Sequence, residues 1–223
     1  MIYQSERLDL YESIIGRWLD GGAAYRCVCS RRELAGYDVY PGTCRQRNLD
    51  PGPAQAIRVI VADEVLGFTD RLQGRFSQHL PSEVGDFVIR RRDGIIAYQL
   101  AVVLDDIAQG VNQIVRGADL MDSTPRQLWL YRLLGEPNPN YLHIPLVMRP
   151  DGQKLSKRLA SPPLDSQRAP ATLHRALRAL GQPVPTELDG AAIDTLLGWA
   201  TDNWQPRAMP AVTERLESDL DAR

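Results

Sequence analysis

The sequence predicts an α/β fold that is interrupted by a small metal-binding module and followed by a short helical tail. Short apolar runs typical of strands alternate with amphipathic helical stretches over the first two thirds of the chain. The three cysteines all lie between residues 27 and 44, and the last two periodic segments are both helical. Strands that alternate with helices favour an open α/β sheet.

Composition sets outer bounds on the kind of protein. The chain has 223 residues and a formal net charge of -2. This net charge does not indicate nucleic-acid binding, and it does not exclude a local basic patch. No stretch approaches the roughly 18 apolar residues that a membrane span needs, and the start lacks the pattern of a secretory signal. An odd, clustered set of cysteines is typical of a metal site in a reducing compartment. We therefore expect a cytoplasmic protein.

The N-terminal part begins with an amphipathic helix. Apolar residues recur at helical spacing over residues 5–20, with Ser5 as the N-cap and Gly21-Gly22 as the stop. Residues 25–29 are short and extended. The pattern from Ser30 to Glu33 fits a capping box and predicts a second short helix. Strands are expected over 57–62 and 87–90, with a tight turn at Asp93-Gly94.

The remaining elements follow from the same signals. A helix is expected over 98–106 and an apolar strand over 111–116. Ser123-Thr124-Pro125 predicts a helix start, and that helix ends near residue 134, before Gly135. A short strand follows over 141–145. Residues 160–170 are rich in proline and serine and indicate a linker, and helices over 171–180 and 191–204 make the tail all-α.

Two clusters of residues carry possible chemistry. Cys27, Cys29 and Cys44 can supply three thiolates to Zn²⁺, with Tyr40 as a fourth ligand, although spacing alone leaves three buried apolar thiols equally open. A loop with two lysines, Lys154-Leu155-Ser156-Lys157, follows a turn at residues 150–152. Such a loop suits a polyphosphate, and its alternative is ordinary solvated surface charge.

A family resemblance connects these features. It is carried, in order, by Asp86-Phe87-Val88-Ile89-Arg90-Arg91, Ala97-Tyr98-Gln99-Leu100-Ala101-Val102, Val115-Arg116-Gly117-Ala118-Asp119-Leu120, Ser123-Thr124-Pro125-Arg126-Gln127, His143-Ile144-Pro145-Leu146 and Lys154-Leu155-Ser156-Lys157. This series resembles the second half of the Rossmann-like catalytic domain of glutamate-activating class I aminoacyl-tRNA synthetases. The resemblance covers nearly the whole chain.

Within that family the chain is most similar to the short branch that attaches glutamate to queuosine in the anticodon of tRNA(Asp). Little sequence follows the lysine loop, so we expect no anticodon-binding domain. Val102 stands where full glutamyl-tRNA synthetases typically carry asparagine. The cysteines with Tyr40-Pro41-Gly42-Thr43-Cys44 resemble the branch's zinc site.

The resemblance implies roles for individual residues. It makes Cys27, Cys29, Tyr40 and Cys44 ligands of a structural Zn²⁺, since four protein ligands leave no open position. Tyr98 and Arg116 would bind L-glutamate, because an arginine fork matches a carboxylate. The alternatives are a core aromatic for Tyr98 and, for Arg116, a surface salt bridge with Asp119.

The lysine loop would bind ATP. The resemblance makes Lys157 the residue that stabilises charge on the ATP α-phosphate, with Lys154 assisting and Mg²⁺ arriving with the ATP. Asp105-Asp106 is interpreted as polar contacts and not as a Mg²⁺ pair, because neighbouring helical residues face different ways. Arg90-Arg91-Arg92 could touch RNA phosphates or be solvated strand-edge charge.

The resemblance also predicts an organisation in four segments. Residues 1–22 would be a remnant of the first catalytic half, 23–84 an inserted zinc-containing module, 85–160 the second catalytic half, and 161–223 a helical tail. The family's first ATP-binding motif, with its histidine, is absent from this sequence, so we expect a truncated fold and weak or absent adenylation by this chain alone. We also expect a monomer. Two rival hypotheses are a truncated glutamyl-tRNA synthetase that charges the tRNA end and an inactive tRNA-binding module.

Overall fold

The computed structural model describes residues 2–154 and 165–220 of the chain. Its α-helices are α1 (Leu8–Asp20), α2 (Leu80–Glu83), α3 (Tyr98–Ala108), α4 (Thr124–Leu134), α5 (Ala169–Ala179) and α6 (Ile193–Asn203). Its strands are β1 (Ala24–Cys27), β2 (Ala56–Val59), β3 (Val65–Asp70), β4 (Gly74–His79), β5 (Phe87–Arg90), β6 (Gln113–Gly117), β7 (Asn140–Ile144), β8 (Leu146–Met148) and β9 (Glu214–Leu216).

The described strands form four small sheets, with the orders β1-β2-β5, β3-β4, β6-β7 and β8-β9. The expectation of one open sheet is therefore wrong for this part of the chain, because alternation along a sequence does not state which strands pair. Contacts divide the chain into a first unit (1–68, 75–114 and 122–140) and a second unit (69–74, 115–121 and 141–223). The four segments inferred from the sequence stay a prediction.

The core of the first unit forms around α1 and the three-stranded sheet. The apolar stripe of α1, with Tyr11, Ile14, Ile15 and Trp18, is buried against β2, β5, α3 and α4. β2 is the central strand, and it pairs antiparallel with both β1 and β5. All four of its residues are buried. Each large apolar side chain removed from water in this way stabilises the fold by about 1.5–3 kcal/mol.

The first helix starts later than its sequence predicts. Ser5 lies in a single 3₁₀ turn, and α1 begins at Leu8 with no side-chain cap. The reason is Asp105 on α3, which accepts a hydrogen bond from Gln4 Nε2 (2.9 Å) and pairs with Arg7 Nε (2.8 Å). These long-range contacts hold residues 4–7 against α3. The predicted stop at Gly21-Gly22 is confirmed.

The capping box forms without the helix it predicted. The Ser30 backbone N–H donates to Glu33 Oε2 (2.7 Å), and the Glu33 N–H donates to Ser30 Oγ (3.2 Å). Residues 31–36 are nevertheless turns. Apart from the partly buried Leu34, this stretch is exposed, so no apolar face is buried to offset the cost of starting a helix.

Several other expectations for the first unit are confirmed. Residues 91–95 form the predicted turn, in which the Arg91 N–H donates to the Ile95 carbonyl (2.8 Å). α3 and α4 lie within one or two residues of their predicted bounds. α4 has Pro125 in its first turn and ends at Gly135, whose φ of 72° is a left-handed conformation that favours glycine.

The second unit contains a strand that the sequence did not indicate. β9 pairs in parallel with β8, with Leu146 opposite Glu214 and Met148 opposite Leu216. The expectation of an all-α tail is therefore wrong, because a three-residue strand carries too little pattern and its partner is about 68 residues away. α5 and α6 are confirmed as helices. The predicted linker at 160–170 lies partly outside the described residues, and it ends earlier than expected because α5 begins at Ala169.

No helix in residues 2–154 and 165–220 is long and apolar enough to cross a membrane.

Candidate functional site

The first unit brings three thiols and a phenol together. The sulfur atoms of Cys27, Cys29 and Cys44 all lie within 4.8 Å of one another, and Cys29 and Cys44 are 3.5 Å apart. The Tyr40 hydroxyl is 3.4 Å from Cys27 Sγ and 3.8 Å from Cys29 Sγ. Donors around a tetrahedral zinc ion are about 3.5–3.8 Å apart. The four predicted ligands therefore fit a closed, four-coordinate metal site.

Arg58 supplies the charge next to this cysteine cluster. Its Nε donates to Cys27 Sγ (3.4 Å), its Nη1 donates to the Asp86 carbonyl (2.7 Å), and its guanidinium lies over the Tyr40 ring at 3.6 Å from the ring centre. Arg58 is only 9% exposed, so its charge acts in a poorly screened environment. It therefore places a positive charge beside Cys27 Sγ.

The ionisable groups of the cysteine cluster differ in the direction of their pKa shifts. Burial raises the pKa of the Cys29 thiol to about 11 and also raises the pKa of Tyr40. Burial opposes ionisation of Cys44 too, but hydrogen bonds from the Val28 N–H, from Cys29 and from Tyr40 lower the pKa of Cys44 to about 7. A metal cation would favour the deprotonated form of every ligand.

The loop that carries Tyr40 is held by its neighbours. Gly85 has a φ of 71°, and a Cβ atom there would lie 2.7 Å from the Tyr40 carbonyl oxygen, so only glycine allows this close approach. The adjacent Asp86 is buried, and it accepts hydrogen bonds from the Tyr25 hydroxyl (2.7 Å) and the Val61 N–H (3.0 Å). These contacts fix the frame in which the cysteines meet.

In the second unit, Arg116 contacts a buried histidine. Arg116 lies on β6, and its Nε donates to Nε2 of His143 on β7 (3.0 Å). The Nδ1 atom of His143 is 2.7 Å from Asp70 Oδ2. His143 and Asp70 are 0% and 2% exposed. The arrangement is a chain of three residues, from a buried carboxylate through an imidazole to a guanidinium.

Burial and local charge keep both buried members in defined states. The pKa of His143 is lowered, because burial and the charge of Arg116 outweigh the opposing effects of Asp70 and Asp119, and the neutral imidazole is favoured. The pKa of Asp70 is also lowered: burial alone would raise it, but the N–H groups of Gln73 and Leu72 and the His143 ring stabilise its anion. A neutral imidazole can accept from one neighbour and donate to the other.

The remaining predicted ligand residues lie in different units. Tyr98 is the first residue of α3 in the first unit and is 51% exposed, so it is not the core aromatic considered as its alternative. In the second unit, Lys154 Nζ contacts Asp119 Oδ2 at 2.7 Å. Lys157 lies outside the described residues.

Asp105 and the arginine run make contacts within the first unit. Asp105 is buried, and besides Gln4 and Arg7 it accepts a hydrogen bond from the Tyr11 hydroxyl (2.7 Å), which agrees with its interpretation as a polar contact. The three arginines at 90–92 contact Glu12 (2.8 Å), Asp93 (2.6 Å) and the Ala54 carbonyl (2.8 Å), respectively.

Sequence reasoning missed two functional candidates and undervalued a third. Asp70 and Arg58 were not singled out, and His143 was noted only as part of the family pattern. Asp70 lies 73 residues from His143 and Arg58 lies 31 residues from Cys27, so no local spacing joins them. A buried charged residue inside an apolar strand, such as Arg58 in Ala56–Val59, is the signal that could have found one of them.

Comparison with known proteins gives consistent matches. Residues 42–172 match a family model described as tRNA synthetases class I (E and Q), catalytic domain. The chain is 55% identical over 221 residues to a glutamyl-Q tRNA(Asp) synthetase of Ectopseudomonas mendocina (strain ymp) and 51% identical over 222 residues to one of Pseudomonas syringae pv. syringae (strain B728a). Each match covers 99% of this chain and 75% of the relative.

A solved structure shares the fold. The crystal structure of a glutamate tRNA ligase from Elizabethkingia meningosepticum is similar with a TM-score of 0.72 at 21% identity, covering 97% of this chain and 52% of that one. This chain thus spans about half the length of that ligase. At such low identity the likeness concerns the fold alone, and it confirms the α/β catalytic fold that was expected.

Proposed function

Because this chain belongs to the class I tRNA synthetase family, in the branch of the glutamyl-Q tRNA(Asp) synthetases, we propose that it activates glutamate with ATP and transfers the glutamyl group to queuosine in tRNA(Asp). The observation that carries this proposal is the 55% identity along 99% of the chain to a relative of that name. The arginine site of the second unit and the cysteine cluster of the first unit support it.

Arg116 would bind the side-chain carboxylate of glutamate. A guanidinium presents parallel N–H donors that match the two oxygens of a carboxylate, and these charge-assisted hydrogen bonds are stronger than neutral ones. Its half-buried position on β6 supports this role, because a ligand can reach the group while part of the water is excluded. Tyr98, which is exposed, stays a proposed glutamate-binding residue on the family resemblance alone.

Lys154 and Lys157 would act on the phosphates of ATP. In the first step an oxygen of the glutamate α-carboxylate attacks the α-phosphorus, the bond to the β-phosphate breaks, and pyrophosphate leaves. The lysine charges would stabilise the negative charge that develops on the phosphates, with Mg²⁺ entering as the partner of ATP. In the second step a queuosine hydroxyl attacks the acyl carbon, loses its proton, and AMP leaves.

Cys27, Cys29, Tyr40 and Cys44 would hold a structural Zn²⁺. Their spacing fits four-fold coordination, and a closed set of protein ligands leaves no position for a substrate. The ion would supply cross-linking and charge, and Arg58 would balance the net negative charge of the ligands from the side of Cys27. The cluster would thereby fix the loops between β1 and β2 so that they present one surface to the tRNA.

The experiment that tests this function has two stages. Glutamate-dependent exchange of pyrophosphate into ATP is measured first without tRNA. Labelled glutamate is then offered with tRNA(Asp) that contains queuosine and lacks its 3′-terminal adenosine, and with the same shortened tRNA(Asp) without queuosine. We expect weak exchange in the first stage and labelling of the queuosine-containing tRNA alone in the second.

The same experiment separates the rival functions. Labelling that needs an intact terminal ribose would favour an enzyme that charges the tRNA end. Retention of tRNA on a filter, with neither exchange nor labelling, would favour an inactive binding module and would contradict the proposal.

A further inference from the structure

The orientation of Arg116 depends on its neighbours in the second unit. Its Nε donates to His143 Nε2 at 3.0 Å, and its Nη2 donates to the Leu120 carbonyl at 3.3 Å. Its guanidinium carbon lies 5.3 Å from the centre of the Tyr141 ring. That ring is stacked on the His143 imidazole, with a centroid distance of 6.0 Å and an angle of 10°. The plane of the guanidinium is therefore fixed from three sides.

These contacts define where the proton of His143 resides. A guanidinium N–H can only donate, so Nε2 of the imidazole must accept and the proton must lie on Nδ1. Nδ1 faces Asp70 Oδ2 at 2.7 Å. Asp70 is itself held by the backbone N–H groups of Leu72 and Gln73, each at 2.9 Å, and by the N–H of His143 at 3.0 Å. The carboxylate cannot turn without losing several hydrogen bonds.

The imidazole separates Arg116 from a buried negative charge. A carboxylate bound directly to Arg116 would neutralise it and compete with an anionic ligand for the same donors. A neutral imidazole orients the guanidinium without placing a negative charge beside it. Burial and the charge of Arg116 lower the pKa of His143, which agrees with this neutral state.

We propose that Asp70 and His143 are positioning residues that orient Arg116 toward the side-chain carboxylate of glutamate and thereby set the preference for glutamate over glutamine. This inference rests on the proposed function. A carboxylate offers acceptors to both donors of a fixed fork, whereas an amide offers one acceptor and turns an N–H group toward the other donor. The discrimination therefore requires a guanidinium that cannot rotate.

Asp70→Asn is the most informative variant. It keeps the shape of the side chain and replaces the acceptor that faces His143 Nδ1 with a donor. The amide oxygen can still accept from the backbone N–H groups, while the amide nitrogen donates to Nδ1 of His143. The proton then moves to Nε2, where it faces the N–H of Arg116. An equivalent exchange in serine proteases produces the wrong histidine tautomer. The matched control is Asp63→Asn, since Asp63 also contacts a histidine, His79 (2.9 Å), but is 92% exposed.

Nitrogen NMR on the untagged, ¹⁵N-histidine-labelled chain reads the tautomer directly. We expect the wild type and Asp63→Asn to carry the His143 proton on Nδ1, and Asp70→Asn to carry it on Nε2. A wild-type chain with the proton on Nε2 would overturn the inference, whatever the activity.

Glutamate binding provides the second measurement, by titration calorimetry of the full chain with glutamate and with glutamine. We expect Asp70→Asn and His143→Leu to weaken glutamate binding by about tenfold to a hundredfold, the cost of a lost charge-assisted hydrogen bond, with little change for glutamine. His143→Gln should stay within about fivefold of the wild type, because its amide oxygen can take the place of Nε2. A folding defect would instead affect all three variants and would lower their melting temperatures together.

The outcomes separate the two proposals. Wild-type binding of glutamate that Asp70→Asn weakens supports the inference even if pyrophosphate exchange is absent and the proposed function fails. Exchange by the wild type with an unchanged glutamate KM in Asp70→Asn overturns the inference and leaves the function standing. A wild type that neither binds nor exchanges overturns both.

Discussion

Two arginines in this chain have nearly the same contacts and different exposure. Arg58 donates through Nε to Cys27 Sγ, through Nη1 to a carbonyl, and covers the Tyr40 ring. Arg116 donates through Nε to His143 Nε2, through Nη2 to a carbonyl, and lies over the Tyr141 ring. Arg58 is buried and Arg116 is half-buried. Contact type alone therefore does not separate the two arginines; accessibility does, and it agrees with the proposal that Arg116 binds a ligand.

Substitution of Arg58 should have the largest effect. In Arg58→Met the charge beside Cys27 is lost and a buried carbonyl loses its donor, so we expect the free energy of unfolding to fall by about 2–4 kcal/mol. Denaturant unfolding measures this change. Arg31→Met, at an exposed arginine of the same module, is the control and should stay within about 0.5 kcal/mol. Equal stability of the two variants would show that the contacts of Arg58 are dispensable.

Substitution of Arg116 should impair the reaction with glutamate and change the stability of the fold little. In Arg116→Met we expect kcat/KM for glutamate in pyrophosphate exchange to fall about a hundredfold, with the KM for ATP unchanged and stability altered by about 1 kcal/mol or less. Arg116→Lys keeps the charge and loses the fork, so it should restore only a small part of the activity. An Arg116→Lys enzyme with wild-type glutamate kinetics would reduce the role of Arg116 to its charge.

Removal of metal should affect the site of Arg58 and spare that of Arg116. Treatment with a chelator should lower the melting temperature by about 4–8 °C, the shift that about 2 kcal/mol produces in a chain of this size. Elemental analysis should find one zinc per chain before treatment and none in Cys44→Ser. Affinity for glutamate should change less than twofold. A melting temperature that is the same with and without chelator would contradict the proposed zinc site.

The smallest effect is a pH dependence from the second unit. The pKa of His143 is lowered in the folded chain by burial and by Arg116, so the unfolded chain binds more protons as the pH falls below about 6.5, the ordinary pKa of histidine. Its contribution to stability is present above that pH and is lost on acidification. Urea unfolding at pH 7.5, 6.5 and 5.5 should show that the free energy of unfolding falls less on acidification in His143→Gln than in the wild type. Parallel curves would exclude His143 as a source of the loss.

The sequence predicted what local patterns encode. The stripe of α1, the proline and glycine at the ends of α4, and the turn at residues 91–95 each follow from residues within one element. The cysteine cluster could be predicted because its members lie within 18 residues of one another.

The remaining features depend on contacts between residues that are far apart in the sequence, and local spacing does not predict such contacts. The start of α1 is displaced by Asp105 on another helix, and the pairing of β8 with β9 joins distant segments. The hairpin of β3 and β4 was missed, so Asp70, which ends β3, was missed with it. Sequence resemblance suggested Arg116, but only the structure shows what orients it.

The parallel pair of β8 and β9 has a practical consequence for protein engineering. β8 leads into the hairpin that holds Lys154, where Met148 pairs with Lys154 and the Arg149 N–H donates to the Gln153 carbonyl. Its other neighbour is β9, more than sixty residues later in the chain. A fusion tag or a deletion close to β9 would therefore disturb the strand from which the lysine loop emerges.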